Sequence, residues 1–175
     1  MALTSIEICA GAGGQALGLE QAGFDHLAVV ELDHHACNTL RENRPHWNVI
    51  EGDVVPWIKE HAHEYRGVDL VAGGVPCPPF PYAAKQLGAD DARDLFLAMI
   101  ALVRVVRPRA IMIENVRGLL DPKFQEYRKG VEEHLAEIGY SLQWKLLQAS
   151  DFGVPQLRPR VIAVGFRDDV SVSFN

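Results

Sequence analysis

The sequence predicts an α/β protein built on a mostly parallel sheet of about six to seven strands, with helices on both faces. Three observations predict it. Short, nearly continuous apolar runs alternate with stretches at helical spacing along the 175 residues. The first apolar run ends in a glycine-rich turn that opens a helix. The chemically notable residues, Gly11, Glu31, Asp53, Cys77 and Glu114, sit where apolar runs end, and open α/β sheets bind their ligands at the carboxyl ends of strands.

Each element follows from local signals. Residues 5–9 are apolar and read as a strand, and residues 15–22 as a helix stopped by Gly23. Residues 27–31 form the next strand, and residues 34–43 a helix with Pro45 just beyond it. Strands are expected at 47–51 and 68–72, the latter bounded by Gly73 and Gly74. Residues 91–106 make the longest expected helix, with Leu95, Met99, Leu102 and Val106 at helical spacing. Residues 110–114 read as a strand, 122–138 as a helix ended by Gly139, and 141–147 and 160–165 as further strands. Between them, residues 73–92 form the only long irregular stretch, which in a compact domain usually carries function.

Composition narrows the class. The chain is 48% hydrophobic and 23% charged, ordinary for one globular domain, expected to span residues 1–175. The longest apolar run, residues 95–103, is far too short for a membrane span, and no signal peptide is recognisable. Three widely spaced cysteines, Cys9, Cys37 and Cys77, argue against a disulfide framework and against a metal site. A reducing, intracellular location is expected. The net charge of −6 is unusual for a protein that binds nucleic acid by itself.

The stretch EICAGAGGQA places Gly11, Gly13 and Ala16 in a G-x-G-x-x-G/A pattern after a strand and before a helix. Glycines there permit a tight turn and close approach of a ligand to the backbone. Glu31 ends the second strand, where a carboxylate accepts hydrogen bonds from ribose hydroxyls. Asp53 taken alone is a helix cap; beside Glu31 it becomes a candidate reader of an adenine amino group. Together these favour a nucleoside cofactor, and nicotinamide, flavin and S-adenosylmethionine all fit.

Cys77 lies in GGVPCPPFPYAAKQ, stiffened by prolines at 76, 78, 79 and 81. A thiolate nucleophile needs a fixed position and a lowered pKa, and the prolines supply the first. Taken alone, a lone cysteine is more often a buried structural thiol, the reading adopted for Cys9 and Cys37. Glu114 and Asn115 stand at the end of a buried strand, where a carboxylate is costly unless paired or functional. The alternative there is a helix cap or a partner for Arg117. Gln156, Arg158 and Arg160 alternate, so an extended chain points all three to one side. Such a face suits a planar or anionic ligand, although any one of the three also fits a salt-bridged strand edge.

In this order, the segments resemble the DNA (cytosine-5) methyltransferases. EICAGAGG is similar to the family's motif I, VVELDHHA to motif II, GDV to motif III, GGVPCPPF to motif IV, IENV to motif VI and QLRPR to motif VIII. The resemblance implies a Rossmann-like S-adenosylmethionine-dependent methyltransferase fold and transfer of a methyl group to C5 of cytosine in double-stranded DNA, S-adenosylhomocysteine being the product. It implies that a cytosine is flipped out of the duplex, that Cys77 adds to C6, and that Glu114 binds N3 and the exocyclic amine. Arg160 would contact the base and Arg158 lie near the phosphates. Gly11, Gly13, Glu31, Leu32, Asp53 and Pro76 would line the cofactor, and the segment 80–93, with Gln86 and Arg93, would close over the DNA. By the same resemblance the location is cytoplasmic, of bacterial type, or at the nucleoid.

The departures matter too. Cys9 stands where the family usually has phenylalanine, Glu7 where it has aspartate, and Pro81 where it mostly has serine. Proline removes a hydroxyl and a backbone donor, which predicts slower loop closure or altered phosphate contact. The target-recognition region and motifs IX and X have no counterpart, in keeping with the acidic charge. The expectation is a truncated chain, or one subunit of a split enzyme whose second chain supplies the rest, with little activity by itself. Other classes fit less well. A nicotinamide oxidoreductase leaves Cys77, Glu114 and the arginines unexplained, and a zinc deaminase needs P-C-x-x-C where Phe80 stands. A degenerate methyltransferase-like binding module and an RNA cytosine methyltransferase remain as alternatives.

Overall fold

A computed structural model describes residues 2–76 and 95–170. Their strands form one seven-stranded sheet in the order β3-β2-β1-β4-β5-β7-β6. The strands are β1 (Leu3–Ile8), β2 (Phe24–Glu31), β3 (Val49–Glu51), β4 (Leu70–Gly73), β5 (Ala110–Val116), β6 (Tyr140–Gln148) and β7 (Pro159–Arg167). The pairs β1–β2, β2–β3, β1–β4 and β4–β5 are parallel. Strand β7 runs antiparallel between β5 and β6. The strand order reverses at β1, so β1 and β4 diverge to opposite connections and leave a crevice beyond their carboxyl ends.

The helices cover both faces. Helices α1 (Gly14–Gln21) and α2 (His34–Asn43) lie on one side, where Ala16, Val29, Leu40 and Trp47 form a small core. Helices α3 (Val54–His61), α4 (Leu95–Val106) and α5 (Gln125–Ala136) bury the other side in a large core. That core includes Ile6 and Ile8 of β1, Val71 of β4, Ile111 and Ile113 of β5, and Phe96, Met99 and Leu102 of α4. Near-continuous apolar strands are what a sheet buried on two faces requires.

The expected elements recur with shifted ends. Only Val49–Glu51 of the third run pairs as strand, because Trp47 is drawn into the smaller core against His26. The single helix expected over 122–138 is broken. A 3₁₀ turn at Pro122–Phe124 precedes α5, closed by i→i+3 bonds from the Phe124 amide to Asp121 O and from the Gln125 amide to Pro122 O. Helix α3 begins at Val54, directly after the residue read as a helix cap: Asp53 starts it by accepting from the Val55 amide at 2.8 Å. The first part of the helix expected from residue 91 lies outside the described residues.

Candidate active site

The site begins with a turn that few sequences can make. Cys9, Gly11 and Gly13 all adopt positive φ, at 54°, 54° and 88°. This folds the chain sharply between β1 and α1. Glycine does this without strain, whereas Cys9 does so against steric resistance. Glu31 holds the turn from the neighbouring strand. Its Oε2 accepts from the Gly11 amide at 2.7 Å, and its Oε1 accepts from the amides of Leu32 and Asp33, each at 2.8 Å. The expected acid is therefore first a fastener of the glycine turn, with lone pairs left over for a ligand. Sequence spacing reveals the ligand duty and not the fastening.

Two cavities meet at this turn. One, of about 530 Å³, is lined by Gly11, Glu31, Leu32, Asp53 and Pro76, with Val54 and Leu95 as apolar walls. The other, of about 740 Å³, is lined by Gly11, Gln15, Glu114, Arg158 and Arg160, among others. Cys9, Gly11 and Gly74 belong to both. Five of the six residues expected at the cofactor thus share one cavity, and three of the four expected to be catalytic share the other. Gly13 lines neither. A methyl group there would come within 2.5 Å of Leu40 Cδ2, so its place is taken by packing against α2. Cys77, together with Pro81, Gln86 and Arg93, lies outside the described residues.

Glu114 and Arg160 form an ion pair, Arg160 Nε lying 2.7 Å from Glu114 Oε1. They come from adjacent strands β5 and β7, and a carboxylate at this strand end is sustained by that partner. The alternative pairing with Arg117 is not the one formed. Arg158 joins the same cavity wall, but Gln156 is held differently. The Gln156 amide bonds Val154 O and the Arg158 amide bonds Gln156 O, so residues 154–158 turn tightly instead of running straight. The three side chains therefore do not form one extended row.

Two titratable groups stand out at the turn. Glu7 is fully buried, and neither of its oxygens has a hydrogen-bond partner. The Ala16 amide faces it without reaching hydrogen-bonding geometry and offsets only part of the burial, which pushes its pKa up to about 8. Gln15 Nε2, on the wall of the same cavity, is buried and unpartnered as well. The Cys9 thiol is pushed up to about 12, first by burial and then by the carboxylates of Glu31, Asp53 and Glu7. It is held as a neutral thiol, in keeping with the structural reading, and it lines both cavities. Cys37 is buried, with its Sγ donating to Glu31 O at 3.4 Å.

The smaller cavity suits an adenosine group. Its acceptors, Glu31 and Asp53, match the donors of a ribose and an exocyclic amine. Gly11 offers open space where a side chain would stand. Among the described residues no three His, Cys, Asp or Glu side chains are grouped to hold a metal ion, and no helix is long and apolar enough to cross a membrane.

A mostly parallel seven-stranded sheet with an antiparallel β7, a glycine turn after β1 and an acid ending β2 defines a Rossmann-like fold of the S-adenosylmethionine-dependent methyltransferase class. Within that class, the chain belongs to the family of C-5 cytosine-specific DNA methylases, whose family model matches residues 3–175. It is 60% identical over 174 residues to the type II methyltransferase M.NgoMIV of Neisseria gonorrhoeae, covering 99% of this chain and 55% of that protein. It is 55% identical over 172 residues to the type II methyltransferase M.NaeI of Lentzea aerocolonigenes, covering 98% of this chain and 42% of that one. Among solved structures, a DNA modification methyltransferase encoded within an E. coli prophage matches with a TM-score of 0.82 and 29% identity, over 99% of this chain and 49% of its own. A DNMT2 from Spodoptera frugiperda matches with a TM-score of 0.76 and 25% identity, over 99% of this chain and 53% of its own. The chain spans about half the length of the first curated relatives it matches.

Proposed function

We propose that this chain carries the catalytic half of a DNA cytosine-5 methyltransferase of the restriction-modification type, acting through a covalent adduct between Cys77 and the target base. The observation that carries this reading is the Glu114–Arg160 pair at the crevice, on the wall that Gly74 shares, three residues before Cys77.

The residues have separable tasks. Cys77 adds as thiolate to C6 of a flipped cytosine, forming the C–S bond and pushing the ring's electrons toward C5. Glu114 accepts a hydrogen bond from the exocyclic amine and, as the carboxylic acid, donates its proton to N3, offsetting the negative charge that develops on the ring. Arg160 holds the Glu114 carboxylate in place and lies within reach of the base, while Arg158 faces the backbone phosphates. Glu31 and Asp53 bind the ribose and adenine of S-adenosylmethionine, and Gly11 lets that group approach the main chain. The cofactor supplies the methyl group that C5 accepts. Loss of the C5 proton to a base and expulsion of the Cys77 thiolate then restore the aromatic ring.

The acidic charge and the length relative to the curated relatives support a division of labour. We propose that gripping DNA, and with it robust methyl transfer, requires a target-recognition portion, supplied as further sequence or as a second chain. The reading is tested by transfer of labelled methyl groups from S-adenosylmethionine to DNA by the complete protein. Glu114→Gln should lower the single-turnover rate on the order of 10²–10³-fold with S-adenosylhomocysteine affinity unchanged. An unaltered rate would remove Glu114 from the mechanism.

A further inference from the structure

Three residues lead from β4 toward Cys77, and each is held by a different contact. Gly73 is buried, and a methyl group there would lie 2.8 Å from Met99 Cε and 2.9 Å from Ile8 O. At Gly74 a methyl group would lie 3.4 Å from Cys9 O and 3.5 Å from Glu114 Oε2. Val75 is buried, and its carbonyl accepts a hydrogen bond from Asn115 Nδ2 at 2.8 Å.

Asn115 is one of only three buried polar or charged residues among those described, with 3% of its surface exposed. Both ends of its amide are used. Nδ2 donates to Val75, and Oδ1 accepts from the Val116 amide at 2.8 Å. Flipping the group would set oxygen against oxygen at one end and donor against donor at the other, which fixes its orientation. A buried amide so placed resists movement, because breaking either bond leaves an unpaired polar group.

The consequence follows from covalent geometry. The Val75 carbonyl lies in the planar peptide that joins Val75 to Pro76. The proline ring fixes the next φ, and the residue before a proline is confined to extended conformations. Between that peptide plane and the Cα of Cys77 only one soft torsion remains, the ψ of Pro76. Glu114, the immediate neighbour of Asn115 in β5, points the other way into the cavity.

We infer that Asn115 is a positioning residue that sets the register between the Glu114 carboxylate and the Cys77 nucleophile by gripping the Val75–Pro76 peptide. This inference rests on the reading of Cys77 as nucleophile. Asn115 acts through the peptide it grips. It fixes where the chain carrying the thiol leaves the sheet, relative to the strand that carries the carboxylate.

Asn115→Asp tests it, because the carboxylate keeps the acceptor for Val116 and lacks the donor for Val75. In the complete protein, adduct formation with DNA containing 5-fluorocytosine, in the presence of S-adenosylmethionine, should slow at least tenfold. Affinity for S-adenosylhomocysteine and for DNA should stay within twofold, a split that a general loss of structure would not give. Asn115→Ser, a smaller change, serves the same comparison if Asn115→Asp does not fold. Equal adduct rates in a folded variant, or a loss matched by weaker cofactor binding, overturn the inference. If the unaltered protein forms no adduct, the nucleophile reading fails by itself. Positioning is then read from iodoacetamide alkylation of Cys77, followed by peptide mass spectrometry. A rate changed at least fivefold by Asn115→Asp sustains it, and an unchanged rate overturns it.

Discussion

The guanidinium of Arg160 and the carboxylate of Glu114 meet at 2.7 Å across the β5–β7 pair, one strand apart and at the mouth of the larger cavity. The strands are antiparallel here, so Arg160, opposite Val116, reaches diagonally back to Glu114. This arrangement fixes the aim of a partly buried carboxyl group and leaves its second oxygen, Oε2, toward Gly74.

That pairing makes Arg160 a test of geometry as well as charge. Arg160→Ala should lower methyl transfer about 10–100-fold, since the remaining carboxylate loses its partner and its aim. Arg160→Lys should recover only part of the rate, because an ammonium cannot reproduce the directed Nε contact. Single-turnover rates on DNA distinguish the two. Full activity of Arg160→Lys would mean that charge alone is needed.

Glu31 should prove more than a ribose acceptor. It ties three backbone amides of the glycine turn and the β2 terminus. Glu31→Ala should therefore destabilise the protein by roughly 1–3 kcal/mol and weaken S-adenosylhomocysteine binding at least tenfold. Urea unfolding and equilibrium dialysis measure the two effects. Weaker binding without lost stability would confine Glu31 to ligand contact.

Glu7 imposes a pH dependence whose direction is fixed. Its pKa is raised from 4.5 to about 8 by burial, so the folded state favours the protonated acid. Its contribution is fully present below the unfolded value and is lost as pH rises from about 4.5 through about 8. The protein should lose stability across that window, by an amount on the order of 4 kcal/mol for this group. Glu7→Gln should flatten the slope and raise the unfolding midpoint at pH 8.5. Denaturant titrations at several pH values check it, and parallel curves for the two proteins would refute the assignment.

Gly13 offers a purely steric check. Its φ of 88° is strained for any other residue, and a methyl group would strike Leu40 Cδ2 at 2.5 Å. Gly13→Ala should cost about 2 kcal/mol, seen as a lowered unfolding midpoint. The cofactor should still bind to the protein that remains folded, because Gly13 faces α2 and not the cavities.

Much of this was legible in the sequence, for reasons that differ residue by residue. The alternation of apolar runs and helical spacing carried the sheet and both helical layers, because the parallel strands are buried on two faces and have little choice of residue. Gly11 and Glu31 were legible because a left-handed turn needs glycine and an acid ending the next strand has few other reasons to be there. The antiparallel insertion of β7 between β5 and β6 was not legible, since a strand's neighbours are decided by long-range pairing. The start of helix α3 was legible in Asp53, a capping residue just before Val54, and Pro56 is tolerated in its first turn. The Glu114–Arg160 pair and the Asn115 grip on Val75 join residues 46 and 40 positions apart, the first by the difference of their numbers, and no local pattern announces either. Gln156 misled because alternation implies a straight strand, whereas residues 154–158 turn on their own backbone bonds.

The most direct test of the central claim is a covalent trap. The complete protein is incubated with DNA carrying 5-fluorocytosine and with S-adenosylmethionine, digested, and examined by mass spectrometry for the peptide containing Cys77. The account predicts a modified peptide with the methylated fluoropyrimidine on Cys77, dependent on the cofactor and absent from Cys77→Ser. Methylated cytosine in ordinary DNA, formed at an undiminished rate by Cys77→Ser and with no adduct on the unaltered protein, would contradict it.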